Sequence, residues 1–408
     1  MTSNRSFLTV LATNGLSEIV QKVSRIAVVI AVARAMEAEA IGLAAAAIAA
    51  GDILKSFTEN GIVQKIIAAR DEDLNSTVRT GHRLFTLWCW GLLAVQCTTA
   101  LGIWMWTGGT TVPILMALLA LEYVVMPPGI VNCALAMRTG KLTGTATVAG
   151  GQIVAANLLT AALALIWASP FALIIPRVLT APIWLFGMRR LHPYRIDTSV
   201  PLSSITPFIG FGAWVLGSEI VKSLRLQADK LLIGALLGAE ALGIYFFAFN
   251  AGLSIATSAS VAFGRVVFPR ITASANRSKT AKDAIWLATA FTAPIIILQA
   301  LLAPVYVPIL FGEDWAFISG TVAILCLAAI PTMLWSGTAQ WLRAEDRAAS
   351  EFRVTTILTT GLLISTWLLA PLGIEAIAWG YLAVTTVIQV AASLPLLLPN
   401  KSQDTHYA

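Results

Sequence analysis

Residues 218–252 read "SEIVKSLRLQADKLLIGALLGAEALGIYFFAFNAG" and join a charged head to a long apolar run. The head carries five charged residues within thirteen positions: Glu219, Lys222, Arg225, Asp229 and Lys230. The run that follows is apolar enough to begin a membrane-spanning helix, which needs about 20 such residues. A charge inside hydrocarbon costs about 2.5–3.5 kcal/mol on insertion scales, so it needs a partner or water. These five charges therefore need partners elsewhere in the chain, or a position in contact with water.

The whole chain has the composition of a membrane protein. Charged residues make up 12% of its 408 positions, about half of the share of roughly 25% that soluble domains have. Hydrophobic residues make up 57%, and apolar stretches recur from end to end. Because helices satisfy their backbone hydrogen bonds within one segment, we predict an all-α polytopic membrane protein without a sizeable soluble domain.

Twelve apolar segments can be read as transmembrane helices. They are residues 8–33, 40–66, 82–107, 112–137, 142–168, 170–188, 206–236, 242–268, 284–308, 316–342, 350–371 and 373–397. Lys and Arg cluster after the even-numbered segments, whereas the other connections are neutral or acidic, with Arg34 as their single cation. By the positive-inside rule, this alternation places both termini in the cytoplasm. Because Glu18, Lys22 and Arg25 interrupt the first segment, we do not expect it to be a cleaved signal peptide.

The charged head is the second copy of an internal repeat. Residues 17–70 align without gaps on 218–271, with identical residues at 12 of 54 positions, including "SEIV" in both copies. We therefore predict two six-helix lobes, residues 1–190 and 206–408, joined by a cytoplasmic connector at 191–205. An even number of helices in each lobe makes them parallel repeats, and transporters built in this way usually bind their substrate where the repeats meet.

Charged residues inside the predicted helices form three stripes. Residues three or four positions apart share one face of a helix, and this spacing holds within each stripe. The stripes are Glu18, Lys22 and Arg25; Asp52, Lys55 and Glu59; and Glu219, Lys222, Arg225 and Asp229. Their concentration on the leading helices of both lobes predicts a hydrated cavity. Its candidate binding residues are Lys22, Arg25, Lys55, Lys222 and Arg225, and its candidate coupling or ion-pair residues are Glu18, Asp52, Glu59, Glu219 and Asp229.

Two simpler interpretations of these charges stay open. The stripes can be local ion pairs that neutralise one another and fix helix packing. Arg265 and Lys230 can extend from the ends of their helices towards the membrane surface.

Several motifs resemble those of bacterial polysaccharide flippases in the multidrug/oligosaccharidyl-lipid/polysaccharide exporter superfamily. The segment "DKLLIGALLGAEALGIYFFAFNAG" resembles their seventh and eighth spans, with Asp229, Gly234, Gly238, Gly243 and Tyr245 at the matching positions. "ARAMEAEAIGL" and "KSFTENG" are similar to the corresponding turns of the first lobe. The resemblance in span number and repeat covers the whole chain, and the local motifs cover about a quarter of it.

This resemblance implies a flippase in a bacterial inner membrane. Its substrate would be a polyprenyl-pyrophosphate-linked oligosaccharide, moved from the inner to the outer leaflet by alternating access. Membrane lipids, a polysaccharide polymerase and a chain-length regulator are the implied partners. The related lipid II flippases carry cavity arginines on spans one, two and eight, but the repeat equivalent of Lys55 in span eight is Ala256. We therefore expect Lys222 and Arg225 to supply the cations of the second lobe.

Other functions fit the sequence less well. A small-molecule, ion-coupled exporter of the same superfamily is the alternative, because it would share the fold and the repeat. A membrane enzyme usually needs a larger exposed loop or a catalytic cluster, so we expect no enzyme activity. We also expect no cofactor, no metal site, no ATP-binding P-loop and no nucleic-acid partner. A membrane scaffold without transport would not explain the buried charges.

The double variant Lys222→Ala/Arg225→Ala should abolish polymer export, because it removes both candidate cations of the second lobe. Export is measured in cells that depend on this chain, with the amount of membrane-inserted protein as the control. Normal export at normal protein levels would contradict the assignment.

Overall fold

The structure, a computed structural model, describes residues 20–21, 23–197 and 199–397. Within these residues every regular element is helical. The α-helices are α1 (23–35), α2 (Ala38–Ser56), α3 (Ile62–Ile67), α4 (Leu74–Thr107), α5 (Thr111–Ala120), α6 (Glu122–Val125), α7 (Pro127–Arg138), α8 (Leu142–Ile166), α9 (Phe171–Leu191), α10 (Thr206–Thr272), α11 (Arg277–Phe311), α12 (Ser319–Leu327), α13 (Ala329–Ala344), α14 (Ala348–Leu369) and α15 (Ile374–Leu397). Short 3₁₀ helices lie at Glu313–Ile318 and Ala370–Leu372.

The helix ends follow from the local sequence. Gly108 takes the left-handed conformation (φ 68°) that terminates α4. Pro127 begins α7, because proline tolerates the first turn of a helix but cannot donate a hydrogen bond to a preceding one. The Asn276 side chain accepts a hydrogen bond from the Lys279 amide and caps α11.

Eight helices within the described residues are long and apolar enough to cross a membrane. A ninth candidate is the bent pair Thr111–Val125 and Pro127–Arg138, whose axes differ by 52°. One of the eight, Thr206–Leu253, covers the seventh predicted segment and part of the eighth. The all-helical, multi-span prediction is confirmed, and the count of twelve stays a prediction.

The chain divides into two compact units, Met1–Gln227 and Ala228–Ala408. In the first unit, Phe85, Tyr123 and Phe208 are buried in one apolar cluster. In the second, Ile271, Ile285 and other apolar side chains from α10, α11, α13 and α15 form a separate core. The division into 1–190, 191–205 and 206–408 rests on the repeat and stays a prediction.

Helix α10 belongs to both units. Its first part, up to Gln227, contributes Phe208 to the core of the first unit. A single non-helical residue, Gly238 (φ 87°, ψ 179°), interrupts the helix farther along. Glycine is favoured there because a side chain strains the backbone at positive φ. The break follows the charged head by eight residues and separates the two predicted spans on either side.

Gly212→Ala should destabilise the first unit by about 1–3 kcal/mol, because small-to-large changes at close contacts force shifts. A Cβ atom at this position would lie 2.6 Å from the main-chain oxygen of Asn60, which cannot move aside as a side chain can. Gly210→Ala is the matched control, since nothing lies within 4 Å of its Cβ position. It should be neutral or stabilising, because alanine favours helix over glycine. Thermal unfolding of the detergent-solubilised proteins measures both, and equal unfolding temperatures for the two variants would refute the close contact.

Candidate functional site

Four charged side chains from three helices form one ion-pair network in the first unit. The Arg177 guanidinium donates from Nη2 to Asp52 Oδ1 at 2.9 Å and from Nε to Glu122 Oε1 at 3.2 Å. The Lys55 ammonium pairs with the second Glu122 oxygen, Oε2. Two cations and two carboxylates alternate in this charge quartet, so its net formal charge is zero.

The fold brings the charge quartet together from distant positions. Asp52 and Lys55 share a face of α2 because three residues separate them. Glu122 begins the short helix α6, within the span that bends before Pro127. Arg177 lies in α9, which runs through two prolines without ending. Charged side chains from three largely apolar helices therefore meet at one place and neutralise one another.

A small polar cavity borders the charge quartet. Its volume is about 10 Å³, which is room for roughly one water molecule. Tyr123 donates to Gln96 Oε1 at 2.9 Å, and the Gln96 amide donates to the Met116 carbonyl at 2.7 Å. The lining consists of Gly51, Lys55, Gln96, Leu119, Glu122, Tyr123 and Arg177. The polar wall opposite the ions is thus already hydrogen-bonded.

The head of α10 also reaches this site. Gln227 donates from Nε2 to Asp52 Oδ2 at 3.3 Å, and Ser223 donates to the Asp52 main-chain oxygen at 3.2 Å. Asp52 therefore has donors on both carboxylate oxygens, one from Arg177 and one from Gln227. These contacts anchor Asp52 more firmly than an ion pair with one partner would.

The charge quartet is unevenly exposed. The Lys55 side chain keeps 40% of its surface accessible, whereas Glu122 keeps 8%. Arg177 and Asp52 lie between these values. An anionic ligand would therefore reach Lys55 first, with Glu122 buried behind it.

Other predicted residues also lie in the first unit, which contains Lys222 and Arg225 although the sequence assigned them to the second lobe. Arg25 is exposed and close enough to Asp52 for an electrostatic interaction. Glu59 is also exposed and interacts electrostatically with Glu219, Lys55 and Lys222. Lys222 and Glu219 form a local ion pair, with Lys222 Nζ 2.6 Å from Glu219 Oε1.

Arg225 stands apart from these pairs. It is half-buried, and its Nε atom is buried without a hydrogen-bond partner among the described residues. A buried donor without a partner costs about 1–3 kcal/mol. The predicted candidates Glu18 and Lys22 lie outside the described residues, as does the Arg265 side chain.

In the second unit, Asp229 and Lys230 form a closed pair. Both are about 95% buried, and Lys230 Nζ lies 3.5 Å from Asp229 Oδ1. The buried Tyr245 hydroxyl donates to Asp229 Oδ2 at 3.0 Å, and the Lys230 ammonium lies 4.3 Å from the Phe249 ring centroid. Lys230 does not extend to the membrane surface, because a carboxylate and an aromatic face hold it in the interior.

Sequence reasoning missed two members of the charge quartet as site residues. Glu122 and Arg177 each stand alone in their segments, without a second charge at helical spacing. Their pairing depends on α6 and α9 packing beside α2, which the sequence does not display. One signal was present in the sequence: an isolated acid and an isolated base lie in two different apolar spans, and each needs a partner of opposite charge.

The two cations of this site, Lys55 and Arg177, can bind an anionic group. Lys and Arg bind carboxylate and phosphate through charge-assisted hydrogen bonds, and both are held here within apolar helices. Within the described part of the chain, no three His, Cys, Asp or Glu side chains are arranged to bind a metal ion.

Arg177→Gln should lower the free energy of unfolding by about 3–5 kcal/mol, because it leaves two carboxylates to share Lys55. Arg343→Gln is the control, since Arg343 forms its pair with Glu351 while 43% of its side chain is exposed. That loss should be about 1 kcal/mol or less. Scanning fluorimetry in detergent reports both, and losses of equal size would show that the charge quartet does not stabilise the first unit.

Comparison with known proteins identifies relatives in sequence and in structure. Lipopolysaccharide biosynthesis protein WzxC of Escherichia coli (strain K12) is 24% identical over 257 residues, which cover 60% of this chain and 51% of that protein. The chain spans about half or less of the length of the curated relatives that it matches.

Two solved structures share the fold over nearly the whole chain. The lipid II flippase MurJ in an inward closed conformation has a TM-score of 0.74 and 14% identity, with 93% of this chain and 86% of that chain covered. An inward-facing multidrug resistance MATE transporter of the MOP superfamily has a TM-score of 0.69 and 14% identity, with 95% and 96% covered.

The protein is therefore a multi-pass membrane protein with the fold of these transporters. The family model for polysaccharide biosynthesis protein matches residues 31–319, about 70% of the chain. This region includes the charge quartet, the head of α10 and the Asp229–Lys230 pair. The chain belongs to the polysaccharide biosynthesis protein family.

Proposed function

We propose that this protein flips a polyprenyl-pyrophosphate-linked oligosaccharide from the inner to the outer leaflet of a bacterial inner membrane. The product would serve surface or exopolysaccharide synthesis. Membership of the polysaccharide biosynthesis protein family supports the polymer. The relative's name supports lipopolysaccharide biosynthesis as the kind of pathway, and the fold shared with a lipid II flippase supports a lipid-linked cargo.

One observation carries the proposal: Lys55 and Arg177 hold a single carboxylate, that of Glu122, between them. Two cations around one anionic group form a cradle that also suits a phosphate, because both cations can donate to different oxygens. We refer to Lys55 and Arg177 as the anion cradle. The exposure of Lys55 gives the diphosphate an approach to it.

Further cations support an anionic path in the first unit. Arg25 and Lys222 are exposed, and Arg225 has a buried Nε without a partner in the described structure. A ligand oxygen at this Nε would satisfy the donor. These residues, with Lys22 and Lys55, remain our binding candidates, and we add Arg177 to them.

The transport cycle follows from the chemistry of the cargo. Sugars and diphosphate cannot cross hydrocarbon without hydrogen-bonding partners, whereas the polyprenyl tail can stay in the bilayer. We infer twelve spans in two parallel six-helix lobes, both termini in the cytoplasm, and alternating access through a charged cavity. A polysaccharide polymerase and a chain-length regulator would receive and lengthen the product.

Ion coupling is the proposed role of acidic residues that lie near cations. The described candidates are Asp52, Glu59, Glu219 and Asp229. Three of them already have partners: Asp52 pairs with Arg177, Glu219 with Lys222, and Asp229 with Lys230. A proton or cation could compete with these partners. The membrane potential acting on the charged cargo is the other source of energy.

Lys55→Gln should slow translocation of a lipid-linked oligosaccharide by about tenfold or more, because a charge-assisted hydrogen bond contributes about 1.5–3 kcal/mol. The measurement uses the full chain in proteoliposomes and follows the appearance of the sugar on the outer surface. Lys279→Gln is the matched control, since it removes one exposed cation at the start of α11.

The same vesicles distinguish the alternative function. A small-molecule exporter would move a fluorescent organic cation along an ion gradient and would leave the lipid-linked sugar in place. Efflux of the cation without translocation of the sugar would overturn the proposed function. Equal translocation by Lys55→Gln and the wild-type chain would exclude the anion cradle as the site.

A further inference from the structure

The Glu122 carboxylate occupies the position that an anionic ligand would take in the anion cradle. Its two oxygens are bound to different cations, Oε2 to Lys55 Nζ and Oε1 to Arg177 Nε. A phosphate group that bridges Lys55 and Arg177 would present two oxygens to them in the same way. Glu122 and the ligand therefore compete for the same donors.

Arg177 does not depend on Glu122 for its position. A separate nitrogen, Nη2, is held by Asp52 Oδ1 at 2.9 Å. Asp52 is in turn bound by Gln227 and Ser223 from α10. If Glu122 moves away, this second contact still holds the guanidinium in place.

The cavity beside Glu122 is too small for a phosphate group. The cavity beside Glu122 has a volume of about 10 Å³, which is room for roughly one water molecule. A phosphate group is several times larger than a water molecule, so this cavity cannot hold it while the carboxylate is in place. A phosphate that bridges Lys55 and Arg177 must therefore take the position of Glu122.

The charge balance points to the same conclusion. With Glu122 in place, the charge quartet is neutral and attracts a further anion weakly. Without it, Lys55, Arg177 and Asp52 leave one net positive charge. Glu122 also lies in the span that breaks before Pro127 and bends by 52°, where fewer continuous helical hydrogen bonds restrain a shift.

We propose that Glu122 is a built-in competitor for the anionic head group. It neutralises the anion cradle when no cargo is bound, yields to the diphosphate, and returns to displace it. This inference rests on the proposed function and adds a mechanism of release. It assigns Glu122 as a positioning residue that acts through Lys55 and Arg177.

Glu122→Gln tests this role, because the amide keeps the size of the side chain and loses the charge. Farnesyl diphosphate is the binding probe, measured with the full chain in detergent by calorimetry. We expect its Kd to fall about tenfold or more, since the competing charge-assisted bonds are weakened. We expect the maximal rate of oligosaccharide translocation in proteoliposomes to fall as well, because release becomes slower.

Tighter binding combined with slower transport separates this role from a structural one. A residue that only holds the fold together would weaken binding when changed. Glu351→Gln is the matched control: it removes a carboxylate from an Arg pair in the second unit and should leave the farnesyl diphosphate Kd unchanged. Glu122→Asp is the second variant, since a shorter carboxylate reaches the two cations less well and should give an intermediate Kd.

The outcomes separate the two proposals. An unchanged or higher Kd for folded Glu122→Gln, with normal binding by the wild-type chain, overturns the role of Glu122 alone. If Glu122→Gln does not fold, an unchanged or higher Kd for Glu122→Asp does the same. A wild-type chain that neither binds farnesyl diphosphate nor translocates the lipid-linked sugar overturns the proposed function instead.

Discussion

The bridge that Arg177 forms between Asp52 and Glu122 is the interaction on which the first unit depends. It joins α2, α6 and α9, whose surfaces around these charges are largely apolar. Apolar packing between such helices in lipid has only a weak hydrophobic driving force. Three charged groups that must meet, each costly if left alone, set the rotation of all three helices. Lys55 completes the arrangement and balances its charge.

The sequence predicted the helices and the charged face of α2, but it did not predict which residues pair with that face. The low charge content and the recurrent apolar segments were enough for an all-helical membrane protein. The spacing of Asp52 and Lys55 correctly indicated a charged face on α2. Their actual partners, Arg177 and Glu122, lie 125 and 67 residues away, and spacing within one helix carries no information about such contacts.

The charged head of α10 shows the same limit. Glu219 and Lys222 form a local ion pair, which agrees with the open interpretation that the stripes contain pairs within one helix. The neighbouring Gln227 and Ser223 are uncharged, so the charge pattern did not predict that they bind Asp52. The repeat also concealed a difference between its copies: the equivalents of Lys55 and Asp229 are Ala256 and Val28. The two aligned segments therefore carry their paired ions at different positions.

The long separation between Asp52 and Arg177 affects how the protein is made. Asp52 leaves the ribosome 125 residues before Arg177, which is a delay of about 6–25 s at usual rates of synthesis, roughly 5–20 residues per second. During that interval Lys55 lies three residues from Asp52 and four from Glu59, so its nearest carboxylates belong to its own segment. Such local attraction lowers the cost of inserting charged residues with α2, and Glu122 and then Arg177 are made later. The order of synthesis therefore presents Lys55 with the carboxylates of its own segment before it presents Glu122.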